Sequence, residues 1–223
     1  MRLLSYPLGP NTPTFLDNPP VTVRQVSSIA AGDHANWCEI TTINHNGTHV
    51  DAPFHFWQEG PRLTDLPLET FVFNKPLLLD IPKSDGELIT AADLAPHAGA
   101  FAESDLLLVR TGFARHRESD PSRYGRRAPG FHPSAADVLL APTSSLRALA
   151  MDIPSASSPL HTDEGGAFHQ ETLGTSGRGR YILLIEDVRI DPDLTPADLG
   201  RVLVVPLFLD NLDAAPCTIL AEP

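Results

Sequence analysis

The chain has 223 residues and a formal net charge of -12, and its length fits one domain without requiring a second. Apolar residues make up 42% of it, which is enough for a full hydrophobic core. The negative charge argues against binding to phosphate backbones, and no apolar run reaches the roughly twenty residues of a membrane span, so we expect neither nucleic-acid nor membrane partners. Two cysteines are too few for a disulfide framework, and we expect a cytoplasmic protein.

Predicted strands alternate with predicted helices along the chain. Runs of β-branched and apolar residues predict strands at 21–26, 37–44, 77–81, 106–110, 148–153, 181–185, 202–209 and 217–220. Capping-box spacing predicts helices that begin at Thr90 and Ser134. Pro206 would place its strand at a sheet edge or a bulge, because proline donates no hydrogen bond to a sheet. The stretch 115–133, rich in Arg, Ser, Pro and Gly, is interpreted as a long loop, and the whole pattern indicates an α/β fold.

The segment 44–56 carries most of the chemical information, because His45, His49, Asp51 and His55 fall within eleven residues of one another. The Asn-Gly pair that ends at Gly47 predicts a sharp turn rather than a helix, and this turn would bring His45 and His49 together. His49 and Asp51 are two residues apart, so their side chains share one face of an extended chain. His55 follows closely enough to reach the same pocket.

Imidazole and carboxylate groups in this density indicate a metal site for zinc, manganese or iron(II). Because no thiolate lies nearby, the set fits a catalytic site, which keeps one coordination position open for water, better than a closed structural site. A bound divalent cation can lower the pKa of its water to about 7, and a histidine beside that water can carry protons to a leaving group. The isolated histidines elsewhere are interpreted as surface or core residues: His34, His97, His116 and His132.

The segment resembles the signature of the cyclase-like metal-dependent hydrolases, a family that includes bacterial kynurenine formamidase and isatin hydrolase. The family pattern His-x-Gly-Thr-His-x-Asp-x-Pro-x-His-Phe is matched at every specified position from His45 to Phe56. Weaker likenesses extend over most of the chain. They are Leu-Ser-Tyr-Pro-Leu at 4–8, Asp-Ile-Pro-Ser at 152–155 and Leu-Ile-Glu-Asp at 184–187.

The resemblance implies a ligand set and a catalytic residue. His45, His49 and Asp51 would bind a first metal, and Asp51 would bridge to a second metal where a second one binds. Glu186 matches the late carboxylate ligand of the family, and His55 would be the general acid and base. The implied cofactor is a divalent ion, Zn²⁺ or Mn²⁺, with one or two per chain.

The histidine of the second metal is less well defined by the resemblance. His169 lies seventeen residues before Glu186, farther than is usual in the family, and the stretch 174–180 resembles an insertion between them. His161 is the alternative. One well-formed metal site is therefore a stronger prediction than two.

Two aromatic residues are candidates for contacts with the substrate. Phe15 falls roughly where the kynurenine formamidases place an aromatic contact, although their Trp-Pro-Gly-Asp-like stretch is here Phe-Leu-Asp-Asn-Pro. Trp57 lies beside the histidine motif, and a place in the core is the alternative interpretation for it.

The resemblance also implies the fold and the reaction. The expected fold is a single α/β domain over residues 1–223, with a mixed, barrel-like central β-sheet flanked by helices, assembled as a homodimer or homotetramer. The expected reaction is hydrolysis of a C–N amide bond in a small aromatic substrate, of the arylformamidase type that acts on N-formylkynurenine-like compounds. The alternatives are a cyclic amide or lactone hydrolase of the isatin hydrolase type, a cyclase or dehydratase of natural-product synthesis, and a metal-binding protein without catalysis. The intact His55-Phe56 pair argues against the last of these.

Overall fold

The strands and helices are taken from a computed structural model, which describes residues 1–174 and 179–223; residues 175–178 of the expected insertion lie outside the described residues. The strands are β1 (Arg2–Leu3), β2 (Thr22–Ser27), β3 (Trp37–Thr41), β4 (His49–Asp51), β5 (Val72–Phe73), β6 (Pro76–Asp80), β7 (Leu88–Ile89), β8 (Leu106–Arg110), β9 (Gly130–Phe131), β10 (Ala148–Met151), β11 (Leu183–Glu186), β12 (Arg201–Pro206) and β13 (Ala214–Glu222). The α-helices are α1 (Ala91–Leu94), α2 (Ala98–Phe101), α3 (His116–Ser119), α4 (Pro121–Arg127), α5 (Ser134–Leu139) and α6 (Thr162–Thr172).

Nine of the described strands form one mixed, barrel-like sheet in the order β5-β12-β13-β4-β11-β10-β8-β6, with β1 paired to β13. The strands β6, β8, β10 and β11 run parallel to one another. Strand β4 pairs antiparallel with β11 on one side and with β13 on the other, and so joins the parallel and antiparallel parts. Parallel neighbours need crossover connections, which the helices supply. The α/β class and the mixed sheet flanked by helices are therefore confirmed.

The sheet has an apolar cluster on each face, as expected for buried strands. In β8, Leu106 and Leu108 join one cluster, whereas Leu107 and Val109 join the other. The second cluster also contains residues of α1, α5 and α6. Val50 of β4 belongs to the first cluster, so its two neighbours in that strand point to the opposite face, which the helices cover.

The expected long loop at 115–133 is wrong, because this stretch contains α3, α4 and β9. Asp120 accepts a hydrogen bond from the backbone N–H of Arg123 and so caps α4, and Pro121 occupies the first helical turn, where proline loses no bond. Residues that suggested a loop, such as Pro121, thus belong to the N-terminal turn of a helix. Helix α6 was not predicted from the sequence, because the adjacent Gly165 and Gly166 interrupt its pattern.

The predicted edge position holds for Pro206 but not for the whole of β12, which lies between β5 and β13 and pairs with β5 at Val202 and Leu203. At its end β12 therefore has one neighbour, β13, and Pro206 lies at an edge. Across the described part of the chain, no helix has both the length and the apolar character that a membrane crossing requires.

Candidate metal centre

Strand pairing brings the predicted ligands together from distant parts of the chain. The antiparallel register of β4 and β11 places His49 directly opposite Glu186. His49 and Asp51 lie two residues apart in β4, so both side chains point to the face covered by helices. On the other side of β4, the backbone N–H of Ala52 donates to the carbonyl of Asp213 at 2.8 Å, which fixes the start of β13 beside the same group.

The turn before β4 brings His45 back over that strand. Gly47 has a φ of 68°, in the left-handed region that glycine adopts at little cost. A Cβ atom at Gly47 would also lie 2.9 Å from Leu8 Cδ1. The predicted Asn-Gly turn is therefore confirmed, and it places His45 Nδ1 3.1 Å from Asp51 Oδ1.

The remaining ligand candidates continue the cluster into the protein interior. His49 Nε2 lies 3.4 Å from Asp51 Oδ1 and 3.3 Å from Glu186 Oε2. His169, on α6, places its Nε2 atom 3.4 Å from Glu186 Oε1. All four of these side chains are buried. The carboxylate of Glu186 is held in place by the backbone N–H of Ala156, which donates to Oε1 at 2.7 Å.

Three atoms at the middle of the cluster show that the residues fit a divalent metal. Both carboxylate oxygens of Asp51 and Nε2 of His49 are buried without a hydrogen-bond partner among the described residues. Buried polar atoms rarely stay unpartnered. The 3.4 Å between Nε2 of His49 and Oδ1 of Asp51 matches the roughly 3.4 Å expected between two ligand atoms of a tetrahedral ion with bonds of about 2.1 Å. An imidazole and carboxylate donor set suits zinc, manganese or iron(II).

The outer nitrogens of the ligand histidines have acceptors, which leaves the inner nitrogens free to bind a cation. Nδ1 of His49 donates to the carbonyl of Gly47 at 2.8 Å, and Nδ1 of His169 donates to the carbonyl of Gly165 at 2.8 Å. His45 is turned the other way, with Nε2 donating to Asp213 at 3.0 Å. Such outer hydrogen bonds are typical of metal-binding histidines, because they fix the tautomer and the ring orientation.

The electrostatics of the cluster favour bound positive charge. Burial lowers the pKa of His45, but the carboxylates of Asp51 and Asp213 outweigh this effect and raise that pKa to about 10. Burial raises the pKa of Asp51 and of Glu186, but the neighbouring histidines hold both carboxyl pKa values below their usual range. Buried carboxylates therefore draw in either protons or a cation, and the two compete for the same atoms.

Asp213 is a candidate site residue that the sequence analysis missed. Its Oδ2 atom accepts hydrogen bonds from Nδ1 of His55 at 2.7 Å and from Nε2 of His45 at 3.0 Å. Its Oδ1 atom accepts from the Asn44 amide at 2.7 Å. Burial raises the pKa of Asp213, but the two histidines hold it well below the usual range. No local motif marks this residue, since it lies 158 positions after His55.

Phe56, the last residue of the motif, packs between two histidines. Its ring stacks on that of His169 with centroids 4.9 Å apart, and meets the ring of His55 edge to face at 4.7 Å. The apolar ring therefore restricts the rotation of both imidazoles.

The other predicted residues are not among the side chains whose contacts form this cluster in the described structure. His161 precedes α6 with a side chain that is 42% exposed, and the residue that meets Glu186 is His169. Trp57 is half-buried beside Gly174. Phe15 is half-buried in the segment between β1 and β2. The roles of Phe15 and Trp57 in substrate binding stay predictions.

Comparisons with known proteins agree with this architecture. Residues 3–158 match the family model described as putative cyclase. A kynurenine formamidase of Geobacillus thermodenitrificans is 29% identical over 215 residues, which cover 96% of this chain and 92% of that protein. An uncharacterized protein of Haemophilus influenzae is 36% identical over 96 residues, or 43% of this chain and 68% of that protein. The structure of isatin hydrolase A from Labrenzia aggregata bound to benzyl benzoate has the same fold, with a TM-score of 0.79 and 20% identity over 99% of this chain and 92% of that one.

Proposed function

Because this chain belongs to the putative cyclase family, we propose that it is a metal-dependent hydrolase that cleaves C–N amide bonds. The observation that carries the proposal is the buried carboxylate of Asp51, which has no hydrogen-bond partner in the described structure and lies beside two inward-facing histidine nitrogens. The similarity to a kynurenine formamidase over 96% of the chain supports an arylformamide, such as an N-formylkynurenine-like compound, as the substrate.

The metal would be Zn²⁺ or Mn²⁺, with one or two ions per chain. His45, His49 and Asp51 would hold the first ion, and His169 and Glu186 would hold the second with Asp51 between the two. Bound there, the ion would polarise the amide carbonyl and lower the pKa of its water to about 7.

His55 would move the protons of the reaction. Its Nδ1 atom donates to Asp213, so its Nε2 atom carries the lone pair and can accept a proton from the attacking water. The same nitrogen would then donate that proton to the departing amine, as a general acid and base. The ring is partly exposed, which leaves it accessible to a substrate.

Phe15 and Trp57 would contact the aromatic part of the substrate. Both side chains are half-buried, and Trp57 follows His55 by two positions. An aromatic side chain there would offer apolar area and a stacking face to an aryl ring.

We further propose that residues 1–223 act as one domain within a homodimer or homotetramer in the cytoplasm. Exposed apolar side chains on β2 and β3 support assembly, because isolated two-stranded sheets are marginally stable in water. Cys38 and Cys217 are both unpaired, in keeping with a reducing compartment.

The proposal is tested by elemental mass spectrometry of protein purified without chelator, together with turnover of N-formylkynurenine and of isatin. We expect bound divalent metal and release of formate with the gain of one water. Turnover of isatin alone would replace the formamidase with a ring-opening activity, and protein that takes up no metal on titration would refute the metal-dependent mechanism.

A matched pair of variants tests the second ion. His169→Ala should lower the metal content at the Glu186 side of the centre, whereas His161→Ala, eight positions earlier and outside the cluster, should leave it unchanged. Equal metal content in the two variants would contradict the assignment of His169.

A further inference from the structure

One carboxylate oxygen serves two imidazoles at the open side of the centre. Oδ2 of Asp213 accepts from Nδ1 of His55 and from Nε2 of His45, and the two rings lie 4.2 Å apart between centroids. One of these histidines faces Asp51, and the other is the candidate acid and base. A single side chain thus contacts both the metal-binding part and the proton-transfer part of the site.

The hydrogen bonds of Asp213 decide which nitrogen of each ring carries a proton. An imidazole that donates from one nitrogen presents the lone pair of the other nitrogen. For His45 the free nitrogen is then Nδ1, which faces Asp51 at 3.1 Å. For His55 the free nitrogen is Nε2, so the two rings present opposite nitrogens. The different orientation of His45 from the other ligand histidines follows from the position of Asp213.

Asp213 and Asp51 differ in how many of their carboxylate oxygens accept hydrogen bonds, and this difference distinguishes a positioning residue from a ligand. Asp51 has two oxygens without a hydrogen-bond partner among the described residues. Asp213 has both oxygens in use, since Oδ1 accepts from the Asn44 amide at 2.7 Å and Oδ2 accepts from the two histidines. Its backbone is also fixed, because its carbonyl accepts from Ala52. A fully hydrogen-bonded carboxylate on fixed backbone is suited to orienting its partners.

We propose that Asp213 is a positioning residue that fixes the tautomers of His45 and His55 together, and so couples the orientation of a metal-binding ring to that of the proton-transfer ring. The inference deepens the proposed function and rests on it for the activity readout. The tautomer of His55 is a property of the protein alone and does not depend on the identity of the substrate.

The test is Asp213→Asn, which keeps one acceptor oxygen and replaces the other with an N–H₂ donor, so that the side chain cannot accept both from the Asn44 amide and from the two rings. In zinc-loaded protein at saturating zinc we expect the same metal content as in the wild type, a kcat lower by about 10- to 100-fold and a nearly unchanged KM, because Asp213 touches the histidines and not the substrate. In ¹⁵N NMR spectra of the imidazoles, the His55 signals should move from the tautomer protonated at Nδ1 toward the one protonated at Nε2.

The matched control is Asp210→Asn, three positions earlier in the same segment. Asp210 is exposed and its carboxylate accepts from the neighbouring Asn211 side chain, so we expect wild-type kcat and wild-type imidazole spectra. Two outcomes would overturn the proposal. An Asp213→Asn protein with unchanged kcat and tautomer would remove the positioning role, and loss of zinc at saturation would make Asp213 a ligand.

A second variant decides the matter if Asp213→Asn does not fold. Asn44→Ala removes the donor that holds Oδ1 and leaves the carboxylate in place. We expect a smaller loss of kcat and a smaller shift of the His55 tautomer in the same direction, and wild-type values for both would contradict the proposal. The NMR spectra are recorded with and without zinc. A wild-type protein that binds no zinc would count against the proposed function and not against the role of Asp213, whereas loss of zinc in Asp213→Asn alone would count against that role.

Discussion

The exposed fraction of the side chains differs from residue to residue across the centre and shows which of its sides is open to solvent. His49 and Asp51 are buried. The side chains of His45, His55 and Asp213 are 21%, 26% and 24% exposed. The centre is therefore open to solvent on the side of the two partly exposed histidines, and the buried pair forms its floor.

At this scale the sharpest prediction concerns His55. The variant His55→Gln should keep its metal, because Nδ1 of His55 donates to Asp213 and no atom of His55 is among the buried atoms without a hydrogen-bond partner. It should lose about 10²- to 10⁴-fold in kcat, the usual contribution of general acid–base catalysis. Steady-state turnover and metal content are the measurements, and the exposed His34→Gln is the control. A His55→Gln protein with wild-type turnover would remove its assigned role.

At the scale of elements, two capping sequences look alike but behave differently. At α1, the Asp93 carboxylate accepts from the backbone N–H of Thr90 at 2.8 Å and lies 2.9 Å from Nζ of Lys83. At α5, Ser134 lies inside the helix, and its hydroxyl accepts from the backbone N–H of Ala91 instead. The spacing predicts both helices correctly, and tertiary contacts decide which side chain caps.

The stability of the α1 cap should depend on pH. Burial raises the pKa of Asp93, but hydrogen bonds from Thr90 and Lys83 outweigh this and lower it. A folded-state pKa below the unfolded one means that the stabilisation is present at neutral pH and is lost as the pH falls through the folded-state value. Asp93→Ala should lower the free energy of unfolding by about 1 kcal/mol at pH 7, and the difference should shrink below about pH 4.

Urea denaturation of both proteins at pH 7 and pH 3 measures this difference. Glu59→Gln, an exposed acid outside the helices and strands, is the control and should match the wild type at both pH values. A difference between Asp93→Ala and the wild type that stayed constant with pH would show that the charge of Asp93 contributes nothing.

Local patterns explain why part of this structure follows from sequence and part does not. The strands β8 and β10 and the histidine motif are marked by neighbouring residues, and they were predicted. Asp213 reaches the histidines only because β13 pairs with β4, and His169 of α6 meets Glu186 across seventeen positions of the chain. No periodicity within a few residues encodes such long-range contacts.

At the scale of the whole molecule, β2 and β3 stand apart from the main sheet as a two-stranded sheet of their own. Val23, Trp37 and Ile40 on these strands are 44%, 57% and 64% exposed. Val23 and Ile40 are cross-strand partners, whereas Trp37 lies at the end of the ladder. Exposed apolar side chains gathered on one projection are typical of surfaces that another protein covers.

If a second copy of the chain covers this projection, polar substitutions there should weaken the assembly. The double variant Trp37→Ser and Ile40→Ser should lower the mass measured by light scattering toward that of a single chain, while the metal content stays the same. Leu68→Ser, at an equally exposed apolar site away from these strands, is the control. An unchanged mass, or a wild-type protein that is already monomeric, would reject the expected homodimer or homotetramer.

The distribution of the centre along the chain also sets the order in which it can be assembled. His45, His49 and Asp51 lie within seven residues, whereas Asp213 meets His45 across 168 positions. Short loops close before long ones, since the entropy cost of closure grows with length. During refolding, the trio near the start can capture an ion before the sheet is complete, and the proton-transfer pair is finished only when β13 docks on β4. A refolding chain should therefore acquire its metal earlier than its activity.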